Sequence, residues 1–159
     1  MPRRRHTLLG RLVLYLGWMG VGLLAACQVR ASPRVFYLPP ATLQSGCGCS
    51  FHVPAQAGAR GQAVLQWLQG QPALMRIDQR LVRLQPLPAQ GVPEVDQAPG
   101  TKRTYTLTAP GIRVTADCTA LQSCAGGAPG CEAASYRVRL SVVSAQGRRV
   151  LPAWGSCGC

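Results

Sequence analysis

The hydrophobic pattern of this chain has two regimes. Residues 12–26 form one unbroken apolar run, whereas beyond residue 33 apolar and polar positions alternate in short bursts. The clearest burst is "SYRVRLSVV" (135–143), with Tyr136, Val138, Leu140 and Val142 on one side and Arg137, Arg139 and Ser141 on the other. A period of two belongs to a half-buried β-strand, whose successive side chains point to opposite faces. Strand-like runs also occur at "RVFYL" (34–38), "AVLQWLQ" (63–69), "ALMRI" (73–77), "RLVRLQ" (80–85), "KRTYTLTA" (102–109), "GIRVTADC" (111–118) and "RRVLPAW" (148–154). Turn residues punctuate them. Asp78-Gln79 predicts a tight hairpin, Pro110-Gly111 suits the middle of a type II turn, and Ser144 to Gly147 reverses the chain again. From Pro86 to Thr101 four prolines (86, 88, 93, 99) mark a loop long enough to carry function or to be simply mobile. No 3.6-residue period of any length occurs outside the apolar run. Seven or eight short strands in about 115 residues predict an all-β fold, a small antiparallel β-sandwich or barrel.

The apolar run is an address rather than part of the fold. Arg3, Arg4, Arg5 and Arg11 precede it, and its 15 residues from Leu12 to Ala26 fall short of the ~20 that a membrane-spanning helix needs. It closes on Leu24-Ala25-Ala26-Cys27, which resembles the lipobox of bacterial lipoproteins. The resemblance implies cleavage before Cys27 and acylation, palmitate included, of its thiol and new amino group. Several acyl chains on one residue give stable anchoring, where one chain is marginal. Gln28 stands where such lipoproteins often carry an inner-membrane retention Asp, so the resemblance further implies the outer membrane, facing the periplasm. The expected organisation is a signal peptide over 1–26, a lipidated tether over 27–46 with Pro33, Pro39 and Pro40, and a single β domain over 47–159.

Charge narrows the partners. From Cys27 onward 13 basic residues stand against 5 acidic ones (Asp78, Glu94, Asp96, Asp117, Glu132), a net +8, and Lys102 is the only lysine. Alternation places the arginines on the wet side of the strands, where they favour an anionic envelope polymer or lipid phosphates, or another envelope protein. Nucleic acid is excluded as a partner by the export signal.

The cysteines carry the remaining chemistry. Two Cys-Gly-Cys units, Cys47-Gly48-Cys49 and Cys157-Gly158-Cys159, lie just over a hundred residues apart. In a strand both sulfurs of such a unit project from one face. Their Cα atoms are then ~6.6–6.8 Å apart, at the long limit for a disulfide, whereas facing positions on neighbouring strands are only ~4.5–5.5 Å apart. An oxidising compartment favours bridges. The units are therefore expected side by side as first and last strands, with Cys47 and Cys49 bridged to Cys157 and Cys159 in one of the two cross-pairings. Closing a loop of about a hundred residues stabilises by roughly 4–5 kcal/mol in the chain-entropy treatment, and a second bridge beside the first adds much less. The doubling thus leaves an alternative open. Reduced, the four thiolates with His52, the only histidine after the signal, would hold copper or zinc. Cys124 and Cys131 flank "AGGAPG" and are expected to bridge; Cys118 is left over as a buried free thiol.

No catalytic constellation stands out. His52 is the only candidate base, a Cys49–His52 nucleophile would need a free thiolate, and Glu94 and Asp96 lie in the proline-rich loop with no pocket implied. Two function classes follow: a non-catalytic lipid-anchored envelope module with no cofactor, and a periplasmic thiolate metal carrier or sensor. The plan also resembles the small β-barrel lipoproteins that inhibit lysozyme, in size, lipobox and strand content. Their inhibitory motif has no match here, and a +8 domain is repelled by lysozymes, which are generally basic.

Overall fold

The computed structural model describes residues 31–54, 62–88, 90–124 and 133–159. The described residues form nine strands: β1 (Val35–Phe36), β2 (Gly48–His52), β3 (Ala63–Leu68), β4 (Ala73–Ile77), β5 (Arg80–Pro86), β6 (Lys102–Ala109), β7 (Ile112–Gln122), β8 (Ala133–Ser144) and β9 (Gly147–Gly158). All pairings are antiparallel, in the order β1-β4-β3-β2-β9-β8-β7-β6-β5, and a further β4–β5 pairing closes eight strands into a barrel with β1 added. Of the two architectures that the alternation allows, the chain adopts the barrel.

The period of two explains the interior. Tyr136, Val138, Leu140 and Val142 point inward with Phe51, Leu65, Met75, Leu84, Leu107 and Val114, all buried, while Arg137 and Arg139 are exposed. Ser141 is the exception on the outer row. It is buried under Arg148, whose Nε donates to its hydroxyl at 2.9 Å. Side chains fill the barrel of eight strands, as expected at this size.

The hairpins follow their turn residues. Asp78 and Gln79 both take positive φ (47° and 67°), the type I′ geometry that matches strand twist. Gly111 takes φ 71°, as the third position of a type II turn requires. These two hairpins and the Ser144–Gly147 turn lie at one end of the barrel, hereafter the turn end. The Cys-Gly-Cys units and the loop after β5 lie at the other.

The folded domain begins earlier than residue 47. β1 pairs with the edge of β4 that β3 does not reach (Val35 with Ile77, Phe36 with Arg76), and Leu38 donates its N–H to Ala63 O at 2.7 Å. A short 3-10 helix, Pro40–Thr42, then leads over β3. The Gln66 side chain both donates to Gln44 O (2.9 Å) and accepts from Gln44 N (3.0 Å), as a neighbouring strand would. Every residue of β3 is consequently buried. The segment expected as a tether is thus packed against the barrel from Pro33 onward, with Pro33 and Leu38 both buried.

The last strand is also longer than its alternation implied. β9 runs 12 residues through Pro152 to Gly158, joining "RRVLPAW" and the second Cys-Gly-Cys unit. Pro152 faces Arg139 of β8 and lies beyond the reach of β2, which ends with His52 opposite Trp154. The residue without an N–H thus sits where one edge of β9 has no ladder from β2.

Candidate functional site: the disulfide end of the barrel

β2 and β9 run antiparallel in register, Gly48 with Gly158, Cys49 with Cys157 and Phe51 with Gly155. The inward positions of this pair form a ladder of two disulfides. Cys49 bridges Cys157 with Cα atoms 4.0 Å apart, and Cys47 bridges Cys159 with Cα atoms 3.9 Å apart. The two rungs differ in surroundings. Cys49 and Cys157 are each 1% exposed and belong to the core, whereas Cys47 and Cys159 are exposed at the rim.

The neighbouring glycines make the ladder possible. A Cβ on Gly48 would sit 2.4 Å from the Trp67 carbonyl oxygen and 2.6 Å from Leu68 Cα, so β2 approaches β3 closely only because that side chain is missing. One rung below the bridges, Phe51 lies across Gly155, where a Cβ would meet the ring at 3.1 Å.

His52 does not join the sulfurs. It lies on the outer face, its ring stacked on Trp154 at 6.4 Å between centroids, while the four sulfurs project inward. An odd separation along a strand puts Cys49 and His52 on opposite faces. The alternative metal set of Cys47, Cys49, His52, Cys157 and Cys159 therefore does not assemble, and the Cys49–His52 nucleophile fails for the same reason. Among the described residues no three His, Cys, Asp or Glu side chains converge on a common point.

Cys118 is a free thiol in the barrel interior, 2% exposed. Burial pushes its pKa up to about 12, with Asp117 adding to the rise. Cys124 is disulfide-bonded; its expected partner, Cys131, lies outside the described residues, as does Cys27.

The proline-rich loop between β5 and β6 folds over this end of the barrel as a lid. Pro93 is fully buried. The Tyr136 hydroxyl donates to Glu94 O, Cys124 N donates to Val95 O at 2.9 Å, and Gln97 Nε2 donates to the Tyr105 hydroxyl at 3.1 Å. Gln90 Oε1 accepts from Thr106 N at 2.8 Å. Burial raises the pKa of Tyr136 to about 12; burial also raises that of Tyr105, where the hydrogen bond with Gln97 offsets part of the rise.

Between lid and ladder lies a cavity of about 720 Å³. The outer disulfide, Trp67 and Pro93 line it, and so do Glu94 and Asp96, for which the sequence implied no pocket. No Arg or Lys reaches it among the described residues, although the chain carries 17 of them. The carboxylates and the cavity were hidden because the lid is held by backbone carbonyls and two tyrosines, contacts without a sequence motif.

No helix among the described residues is long and apolar enough to cross a membrane. No family model, curated protein or solved structure matches the chain.

Proposed function

We propose that this chain is a non-catalytic lipoprotein of the bacterial cell envelope, anchored through Cys27 in the outer membrane and facing the periplasm. On this reading its disulfide-stapled barrel binds an anionic polymer, or another envelope component, through a basic sheet face. The observation that carries the reading is the outward register of β2, β9, β8, β7 and β6. His52, Trp154, Arg137, Thr119 and Lys102 stand in one row across five strands, with Pro152, Arg139, Asp117 and Thr104 in the next. Arg137, Arg139 and Lys102 are exposed, and Trp154 is 41% exposed. Asp117 is the single acid in these rows and is engaged by the Thr104 hydroxyl at 2.9 Å. Guanidinium groups pair with phosphate or carboxylate in a two-pronged geometry, and the flat Trp154 ring beside them offers an apolar surface for a sugar ring. A polymer bearing phosphate or carboxylate on sugars meets both requirements.

The test is binding of the mature protein in neutral detergent to lipopolysaccharide and sulfated dextran, with uncharged dextran as the control. Binding to both anionic probes is expected, weakening steeply between ~50 and ~500 mM salt. The Arg137→Glu/Arg139→Glu variant is expected to lose about ten-fold or more in affinity. Equal binding to uncharged dextran, or indifference to the charge reversal, would contradict the reading.

A further inference from the structure

A second group of arginines lies at the turn end, beyond the rows of Arg137 and Arg139, where the chain leaves for its N-terminus. Ala31 and Ser32 share a cleft with Arg34, Arg149 and Leu151, and a Cβ on Gly147 would lie 4.0 Å from Ser32 Cα. The N-terminal exit is therefore at the turn end, opposite the disulfides. Cys27 precedes Ala31 by four residues, which places it within ~14 Å of that end even when fully extended.

The exposed basic side chains at this end, among the described residues, are Arg34, Arg80, Arg113, Arg148 and Arg149. Asp78 is the one described carboxylate among them, and its Oδ1 already accepts from Arg34 N at 2.9 Å. The other described acids lie elsewhere: Glu94 and Asp96 at the opposite cavity, Asp117 on the flank. Apolar side chains are interleaved with these arginines. Arg113, Val143 and Arg148 stand in one row across β7, β8 and β9, and Val143 (41%), Val150 (37%) and Leu81 (47%) are all exposed. Cations mixed with exposed aliphatic groups suit a bilayer interface, where the charge meets phosphate and the aliphatic groups enter the acyl boundary.

We propose that the turn end of the barrel rests on anionic phospholipid headgroups, which directs the disulfide end and its cavity away from the membrane. The orientation rests on acylation of Cys27; the charge match does not. A basic surface next to an acyl anchor supplies the second attachment signal and fixes the tilt that a short tether alone leaves free.

The experiment uses the mature protein purified from membranes, with its acyl content read from intact mass. It is reconstituted into vesicles of phosphatidylcholine alone or with about a third phosphatidylglycerol, the anionic lipid supplying the surface potential. Arginines are labelled with phenylglyoxal and located by peptide mapping. Arg34, Arg80, Arg113, Arg148 and Arg149 are expected to lose about five-fold or more of their labelling in the anionic vesicles and to regain it at high salt. Arg103 and Arg137 are expected to label equally in both. Uniform labelling, or protection centred on Arg137 and Arg139, would overturn the orientation. Should the intact mass show no acyl chains, the anchor reading fails, while the same labelling with added vesicles still decides whether the turn end is the lipid-binding face.

Discussion

Gly48 has a task that no other residue can take over. Its missing side chain lets the Trp67 carbonyl and Leu68 Cα of β3 come within 2.4 and 2.6 Å of the position a Cβ would occupy. Those neighbours are backbone, so they cannot rotate aside. Gly48→Ala is expected to lower stability by about 2–3 kcal/mol, seen as a fall in Tm, while Gly91→Ala, with nothing within 4 Å of its Cβ, changes it by less than about 0.5 kcal/mol. Equal effects at the two sites would show that the close approach is not needed. Cys118 sets a second expectation. Its pKa of about 12 in the fold, and that of Tyr136 also about 12, exceed the ~8.5 and ~10 of unfolded chains. Between the unfolded and folded values the folded protein binds more protons than the unfolded one, so stability falls as pH rises. A Tm steady to about pH 8.5 that declines toward pH 12 is expected. Cys118→Ala should flatten the part of that decline below about pH 10, where the Tyr136 contribution begins. An unchanged slope in the variant would mean that the thiol does not carry it.

The elements show which parts of the fold were legible and why. β8 could be read from its alternation because one face meets the core and the other meets water. β3 could not be read that way: "AVLQWL" is nearly continuous in apolar residues, the signature of a strand covered on both sides. The second cover is supplied by residues 38–44, which the prolines there marked as a tether. Closure was out of reach for a different reason. Barrel and sandwich share the same alternation, and what separates them is the pairing of β5 with β6, two residue pairs formed across the proline-rich loop that no local pattern specifies. The cross-strand placement of the Cys-Gly-Cys units, by contrast, follows from strand spacing alone, because pairing within a unit is geometrically poor and pairing across strands is not. The loop's closure over the barrel end escaped detection. Its prolines announce an irregular segment, but the groups that hold it, the Glu94 and Val95 carbonyls, are common to every sequence.

For the molecule as a whole, the turn end and the disulfide end have different chemistry. The turn end is basic and carries the chain toward Cys27; the disulfide end holds both Cys-Gly-Cys bridges, the bonded Cys124 and a cavity with carboxylates on its wall. The bridges span 108 and 112 residues, so either one removes most of the chain entropy that both could remove. That redundancy leaves the exposed Cys47–Cys159 rung free to open without loss of the barrel. The whole picture stands on the four sulfurs being joined across β2 and β9. The direct measurement is a disulfide map of the purified protein under graded reduction, with trapped thiols located by mass spectrometry and bound copper and zinc quantified in parallel. Peptides containing Cys47 and Cys49 are expected linked to those containing Cys157 and Cys159, with Cys47 and Cys159 trapped first and Cys49 and Cys157 only when the fold is lost. Four free thiols carrying a stoichiometric metal, or bridges confined within each Cys-Gly-Cys unit, would contradict it.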